Sequence, residues 1–173
     1  MKLIIGLGNP GTEYEKTRHN AGFLFLDELK EKYALPEFAY NKKFNADVTE
    51  GFVDAQEKVI LAKPQTFMNR SGQSVRALID FYKITPEDIL VVADDLDIEI
   101  GNYKISHDTR AAGHNGIQSV IDNIGTQNFT RMRIGVETAG GRSERGEIAG
   151  DKFVLQNFTN EELRDIEKLF TTL

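Results

Sequence analysis

The sequence has 173 residues, and its 27 Asp and Glu outweigh its 21 Lys and Arg to give a formal net charge of −6. This length fits one domain with a sizeable core. The acidic balance argues against a protein that coats long stretches of nucleic acid, although it leaves room for a small basic patch. The absence of cysteine excludes disulfides and thiolate chemistry, and no apolar run is long enough for a membrane-spanning helix or a signal peptide.

The first third of the chain predicts strands that alternate with helices. Residues 2–5 form a short apolar strand that ends at a glycine-rich turn. Residues 22–33 form a helix, because their apolar side chains recur at three-residue spacing. Residues 44–53 and 58–62 are predicted as two strands joined by a turn.

The middle of the chain continues the alternation. Ser71 is expected to cap a helix that runs to about residue 82. Residues 88–93 contain a continuous apolar run, which is typical of a strand covered on both faces. Residues 99–106 are a weaker strand. The order of these strands in a sheet cannot be read from the sequence.

The last third predicts a helix at 115–124, a strand at 131–137 and a final helix that ends near residue 170. Thr159 and Glu162 have the spacing of a capping box, which marks the start of the final helix. Residues 138–150 are polar and rich in glycine, so we expect a mobile loop there. Together the elements predict a single α/β domain in which helices cover a mixed sheet.

A glycine motif, Gly6-Leu7-Gly8-Asn9-Pro10-Gly11, follows the first strand and has the spacing of a dinucleotide-binding turn. Such a turn opens a helix and is followed by an acidic residue at the end of the next strand. Here a polar stretch without helical periodicity follows Gly11, the acidic residue at that range (Asp27) lies inside a helix, and Pro10 removes a backbone N–H. The motif therefore predicts a tight turn rather than a nicotinamide site.

Four polar clusters remain as candidates for a functional site. His19 follows the glycine motif, and Asn9 and Asn20 lie on either side of it in sequence. Residues 63–72 follow a predicted strand, where sites gather in α/β proteins. In that segment Phe67 and Met68 either receive an apolar substrate group or fill the core.

Asp94, Asp95 and Asp97 form the third cluster, and His114 lies in the fourth, Gly113-His114-Asn115-Gly116. The carboxylates and His114 suggest either a hard metal ion or a partner for a basic group, although alternation along a strand turns Asp94 away from the other two. His114 either takes part in a site or only caps the helix that follows. No G-x-S-x-G elbow is present, so the clusters favour water attack under general-base control over an acyl-enzyme mechanism.

The sequence resembles the bacterial peptidyl-tRNA hydrolase family, in order and at matching spacings from Met1 to about Phe158. The motifs that carry the resemblance are Gly6–Gly11, Tyr14, Thr17-Arg18-His19-Asn20-Ala21-Gly22, Lys63-Pro64-Gln65-Thr66-Phe67-Met68-Asn69 with Ser71-Gly72, Asp94-Asp95-Leu96-Asp97, Gly113-His114-Asn115-Gly116, Arg131-Met132-Arg133-Ile134-Gly135 and Phe153-Val154-Leu155. The resemblance implies a three-layer α/β/α sandwich with a mixed, mostly parallel twisted sheet in one domain over residues 1–173.

The resemblance also implies a reaction, hydrolysis of the ester that joins a peptide to the 3′ ribose of tRNA. His19 is then the general base, and Asp94 accepts a hydrogen bond from the other ring nitrogen. Asn9 is expected to bond the peptide amide next to the ester, and Asn69 and Asn115 to hold substrate carbonyls or the attacking water.

The remaining roles implied by the resemblance concern the tRNA. Tyr14 and Phe67 are expected to contact the 3′ end, Met68 to line the site, and His114 to assist binding. Arg133 matches an arginine that clamps a tRNA phosphate together with a lysine. No metal or other cofactor is expected, nor any contact with DNA or a membrane. The expected protein is a cytoplasmic monomer that binds the acceptor stem and 3′ end of peptidyl-tRNA.

The chain departs from the family pattern in a few places. Ser106 occupies the position of the clamping lysine, and the loop at 106–112 lacks the family's glycine-rich run. We hypothesise that Lys104 or Arg110 substitutes for that lysine. Family members usually continue the terminal helix beyond the position of Leu173, and whether tail contacts to the tRNA are missing stays open. A non-catalytic RNA-binding relative of the family is the main alternative function.

Overall fold

The structure, a computed structural model, describes every residue from Met1 to Leu173 and contains one seven-stranded sheet. The strands are β1 (Lys2–Gly6), β2 (Ala39–Asn41), β3 (Ala46–Val53), β4 (Glu57–Pro64), β5 (Ile89–Glu99), β6 (Tyr103–His107) and β7 (Thr130–Glu137). The helices are α1 (Ala21–Lys32), α2 (Ser71–Tyr82), α3 (Asn115–Ile124), α4 (Gly141–Arg145), α5 (Gly150–Phe153) and α6 (Asn160–Thr172). No helix combines the length and the apolar character needed to cross a membrane.

The sheet has the strand order β2-β3-β4-β1-β5-β7-β6. Strands β4, β1, β5 and β7 are parallel neighbours, while β3 and β6 run antiparallel to the strands beside them. Because β2 is antiparallel to β3, it has the same direction as the central strands. The predicted mixed, mostly parallel sheet is confirmed.

Alternating side chains of β1 pack on opposite sides of the sheet, as the pleat of a strand requires. Leu3 and Ile5 belong to a core cluster that includes residues of α2 and α3, whereas Ile4 packs against a second cluster that includes residues of α1 and α6. Helices therefore cover both faces, as expected of a central parallel sheet, and the three-layer α/β/α arrangement is confirmed.

The helix boundaries follow local chemistry in two cases and depart from the prediction in one. Helix α3 has the predicted bounds, and α6 begins with the predicted capping box of Thr159 and Glu162. The prediction that Ser71 caps α2 is wrong: Ser71 is the first helical residue, and its buried hydroxyl donates to the carbonyl of Met68, 2.8 Å away.

Several strand boundaries also differ from the prediction. Strand β5 continues through the acidic cluster to Glu99, because β7 pairs with it there after a register shift. Strand β6 therefore begins only at Tyr103, after a turn in which Gly101 has a φ of 84°. Strand β3 begins at Ala46 because Asn45 has a positive φ, and the short exposed strand β2 carries no apolar pattern by which it could be predicted. The segment 138–150 contains the helical turn α4 rather than loop alone.

Candidate active site

The predicted site residues converge above the carboxyl ends of three neighbouring parallel strands. The sheet order places β4, β1 and β5 side by side, so the segments that follow them meet at one edge. Asn9 follows β1, and Met68 and Asn69 follow β4. Asp94 lies on β5 itself. This edge is where open α/β sheets place their ligand sites.

His19 reaches this edge because α1 begins unusually close to the sheet. A Cβ atom on Gly22 would lie 2.4 Å from the carbonyl oxygen of Val92 and 2.6 Å from the backbone nitrogen of Leu7. Only glycine permits that approach. It brings the turn Arg18–Asn20, which immediately precedes α1, against the ends of β1 and β5.

His19 and His114 share one carboxylate oxygen. Nδ1 of His19 lies 2.8 Å from Oδ1 of Asp94, and Nε2 of His114 lies 3.0 Å from the same oxygen. Asp94 is only 5% exposed. Both Asp94 and His19 line the cavity above the strands. Because Nδ1 of His19 faces Asp94, its Nε2 is the nitrogen that is left for a substrate or water.

The tautomer of His114 is fixed by the helix that it caps. Its Nδ1 accepts hydrogen bonds from the backbone N–H groups of Gly116 and Ile117, at 3.1 and 3.2 Å. The ring proton must then sit on Nε2, which donates it to Asp94. His114 therefore caps α3 and also contacts Asp94 in the candidate site, so both sequence interpretations apply.

The ionisation of the pair is set by competition between burial and charge. Burial lowers the pKa of His19, but the charge of Asp94 and the hydrogen bond to it outweigh burial and raise that pKa above its ordinary value. Burial raises the pKa of Asp94, but His19 and His114 hold it well below its usual range. Asp94 is thus an anion that stabilises a proton on His19.

His19, Asp94 and His114 are also the one group of side chains whose ligand atoms are close enough to hold a metal ion. A neutral imidazole that binds a metal through Nε2 carries its proton on Nδ1. In His114 that proton would point at two backbone N–H donors. The donor set therefore suits hydrogen bonding better than metal binding. Nor do the three aspartates converge, because Asp95 pairs with Arg133 and Asp97 is exposed.

Asn9 is held so that it presents a donor to the cavity. Its Oδ1 accepts the backbone N–H of Met68 at 2.8 Å, which leaves Nδ2 free. The buried amide of Asn20 binds the Asn9 peptide group twice, accepting from its N–H at 2.8 Å and donating to its carbonyl at 3.0 Å. Asn20 is a positioning residue to which the sequence interpretation gave no role, although its place beside His19 was a signal.

A cavity of about 1150 Å³ opens above these side chains. All but two of the predicted site residues line it: Asn9, His19, Phe67, Met68, Asn69, Asp94, His114 and Asn115. Phe67 is 55% exposed, which fits a residue that receives an apolar substrate group, and Met68 is buried, which fits a residue that fills the core. Tyr14 lies outside the lining, with its ring edge-to-face against Phe67 at 6.4 Å between centroids.

Arg133 is the second predicted residue that does not line the cavity. Its Nε donates to Asp95 at 2.8 Å, and its side chain is 24% exposed. Lys104 of the edge strand β6 is the direct cross-strand partner of Arg133, so the two side chains share one face of the sheet. Lys104 is exposed. Ser106 instead pairs with Arg131, which is buried and binds the carbonyl of Arg110.

The segment 138–150 forms one wall of the cavity. Arg145 of α4 pairs with Glu137 at the end of β7, at 3.1 Å and with both side chains nearly buried. The same guanidinium donates to the carbonyl of Ile148 at 2.7 Å. This nearly buried ion pair attaches the wall to the end of β7, and no pattern in the sequence predicted it.

Comparisons with known proteins agree on one family. A family model described as "Peptidyl-tRNA hydrolase" matches residues 3–173. Proteins named peptidyl-tRNA hydrolase from Brevibacillus brevis and Desulfitobacterium hafniense are 46% and 49% identical to this chain over 168 and 171 residues, which cover 97% and 98% of it and 85% and 86% of the relatives. A crystal structure of peptidyl-tRNA hydrolase from Acinetobacter baumannii superposes with a TM-score of 0.87 at 36% identity, over 99% of this chain and 83% of that one.

Proposed function

Because the chain belongs to the peptidyl-tRNA hydrolase family and is therefore an enzyme that hydrolyses peptidyl-tRNA, we propose that His19 is the general base of that reaction. The observation that carries the proposal is the bond from His19 Nδ1 to the buried Asp94 carboxylate, 2.8 Å long. It leaves Nε2 facing a cavity large enough for the peptide end of the substrate.

In the proposed mechanism, Nε2 of His19 removes a proton from a water molecule as that water attacks the ester carbonyl. The carbonyl carbon becomes tetrahedral, and the 3′ oxygen of the ribose then leaves with a proton returned from the imidazolium. Asp94 stabilises the imidazolium and fixes the tautomer of the ring. His114 donates to the same carboxylate and so orients it. We therefore assign His114 a positioning role in place of the predicted assistance in substrate binding.

We propose that Asn9 binds a carbonyl oxygen of the substrate through Nδ2. Its Oδ1 already accepts from Met68, so the free group is a donor. A donor preorganised by Asn20 suits the oxygen that gains negative charge in the tetrahedral intermediate. The peptide carbonyl next to the ester is the other acceptor in reach of such a group. Asn69 and Asn115, both exposed at the cavity, are assigned to the remaining substrate carbonyls or the water.

The tRNA part of the substrate is assigned to the cavity rim and the face beside it. Phe67, backed by Tyr14, offers an exposed ring on which the terminal adenine can stack. Arg133 and Lys104 lie side by side on β7 and β6, a spacing that suits one phosphate of the acceptor stem. We propose that the enzyme acts as a monomer in the cytoplasm.

We also assign a lid function to the wall formed by residues 138–150. The ion pair between Arg145 and Glu137 attaches this segment beside the cavity in which we place the peptide. Replacing the tip of the segment should change KM for peptidyl-tRNA. Unchanged KM and kcat would contradict a lid.

The central test compares hydrolysis of N-acetyl-aminoacyl-tRNA and free aminoacyl-tRNA by wild type, His19→Ala and His107→Ala, all with a chelator present. His107 is the matched control, because it is an exposed histidine on β6. We expect cleavage of the blocked substrate alone, lost in His19→Ala and kept in His107→Ala. Activity of His19→Ala close to wild type would overturn the assignment of the base, and tRNA binding without turnover by wild type would favour the RNA-binding alternative.

A further inference from the structure

Arg18 and Glu162 form a buried ion pair directly beside His19. Arg18 is 4% exposed, and its Nη2 and Nε donate to the two carboxylate oxygens of Glu162 at 2.7 and 3.2 Å. The guanidinium also lies 4.0 Å above the ring of Phe153. A planar, bidentate and stacked arrangement of this kind is one that lysine cannot reproduce.

The pair lies beside two short antiparallel segments, residues 17–19 and 154–157, which we call the ribbon. The ribbon holds the backbone of His19. His19 N–H donates to the carbonyl of Val154 at 2.8 Å, and Arg18 N–H donates to that of Gln156 at 3.1 Å. Thr17 and Asn157 form the next rung of the ribbon as an antiparallel bridge. The position of His19 is thus set from two sides, by Asp94 at its ring and by residues 154–157 at its backbone.

Glu162 has a second role that can be separated from the first. It is also the N3 residue of the capping box of α6, where its Oε1 accepts from the N–H of Thr159 at 3.3 Å while Thr159 Oγ1 accepts from the N–H of Glu162 at 3.1 Å. The Glu162 carboxylate therefore takes part both in the cap of α6 and in the ion pair with Arg18. Glutamine keeps the capping box but removes the charge that Arg18 binds.

We infer that the Arg18–Glu162 pair positions His19 for proton transfer, so that the start of α6 acts on catalysis without touching the substrate. This inference rests on the proposed role of His19 as general base. It makes Arg18 and Glu162 positioning residues for a group to which neither donates nor accepts a hydrogen bond. Misplacement of a base by a fraction of an ångström lowers the rate of the chemical step more than it lowers binding.

The experiment compares Arg18→Lys, Glu162→Gln and the control Thr159→Ala in single-turnover and steady-state hydrolysis of N-acetyl-aminoacyl-tRNA. We expect kcat to fall about tenfold to a hundredfold in the first two variants, with KM changed by less than about threefold. Thr159→Ala removes one capping bond but leaves the ion pair, so its melting temperature should fall while its kcat stays at the wild-type value.

A spectroscopic readout separates positioning from loss of folding, since Glu162→Gln leaves a buried charge unpaired. The chain has three histidines, so the Nδ1–H signal of His19 can be assigned by NMR in 15N-histidine-labelled protein. We expect this signal to broaden or shift in folded Arg18→Lys and to stay unchanged in Thr159→Ala. Wild-type kcat and an unchanged His19 signal in folded Arg18→Lys would overturn the inference. The proposed function is tested separately, by the activity of wild type and by the loss of activity in His19→Ala.

Discussion

At the residue scale, the site depends on one carboxylate oxygen that serves two histidines with different duties. His114 is held as an Nε2–H tautomer by the helix it caps, and only His19 has a ring nitrogen free to exchange protons with the cavity. The oxygen can accept both bonds because it has two lone pairs. This difference supports our proposal that His19 transfers protons while His114 orients the carboxylate.

Replacing Asp94 by Asn should change both the level and the pH dependence of activity. General-base catalysis needs neutral His19, so kcat/KM of wild type should rise with pH through a midpoint above the ordinary histidine pKa. In Asp94→Asn the charge that raises this pKa is gone and burial remains, so the midpoint should move to lower pH. The plateau should fall by about 10²–10⁴ because the tautomer is no longer fixed.

The matched control for this pH profile is Asp97→Asn. Asp97 lines the same cavity but is exposed, so it should leave the midpoint of kcat/KM where wild type has it. A midpoint that stays in place in Asp94→Asn would mean that His19 is not the group whose titration is observed.

Replacing Asn9 by Asp isolates the donor that Asn9 offers. Aspartate keeps an oxygen for the N–H of Met68, so the loop should retain its shape, but it loses Nδ2 and puts a negative charge where charge develops in the reaction. We expect kcat to fall by about 10²–10³ with a small change in melting temperature. If kcat falls in Asn9→Ala but stays near the wild-type value in Asn9→Asp, activity depends only on the bond between Asn9 Oδ1 and the N–H of Met68.

The residue types of the site could be predicted from the sequence, but their bonding could not. Asn9, His19 and Asp94 were identified from motifs that follow strands. Which oxygen of Asp94 the histidines share, and which atom of Asn9 is free, depend on the N–H groups of Met68, Gly116 and Ile117. The contact between Asn9 and Met68 joins segments far apart in sequence, so no local pattern reports it, whereas Gly116 and Ile117 directly follow His114 in the cap of α3.

At the element scale, α2 and α3 touch through backbone, and this contact fixes two edges of the cavity. A Cβ atom on Gly72 would lie 2.0 Å from the carbonyl oxygen of Ser119. The N–H of Gly72 also donates to the hydroxyl of Ser119 at 3.0 Å. Asn69 lies just before α2 and Asn115 begins α3, so the distance between these two amides depends on the helix contact.

Replacing Gly72 by Ala should therefore lower both stability and activity. The methyl group must push two helix backbones apart, and we expect the free energy of unfolding to fall by about 2–3 kcal/mol, measured by urea denaturation. The value of kcat should fall as well, because Asn69 and Asn115 separate. In the control Gly51→Ala the new methyl group meets only the end of the Leu35 side chain, so both quantities should change little.

Strand limits illustrate where periodicity alone fails as a predictor. The buried run that begins β5 was predicted, but its continuation through the aspartates depends on pairing with Gly135 and Glu137 of β7. The helices were predicted more closely, because α3 and α6 carry their boundary signals in their own caps.

At the scale of the whole molecule, a chain of net charge −6 must bind a polyanion. The two cations that we propose for this contact, Lys104 and Arg133, are cross-strand partners. The sheet order that makes them neighbours of the site could not be read from the sequence, since strand order is set by packing across the whole fold.

Replacing Lys104 by Ala should weaken tRNA binding in a salt-dependent way. One lost phosphate contact reduces the slope of log K against log salt by about one, which binding titrations at several salt concentrations would measure. Lys168→Ala on the exposed side of α6 is the control and should keep the wild-type slope. If Lys104→Ala keeps that slope too, the same titration of Arg110→Ala tests the other candidate for the missing lysine.

The ribbon that holds His19 also has a consequence for the time at which the enzyme becomes active. Residues 17–19 leave the ribosome well before the residues that contact them, 154–157 and Glu162, have been synthesised. Domains are made from the N-terminus onward, so a nascent chain that stops before residue 154 lacks the backbone partners of His19. From the role that we infer for the Arg18–Glu162 pair, a chain released before residue 162 has been synthesised should be inactive.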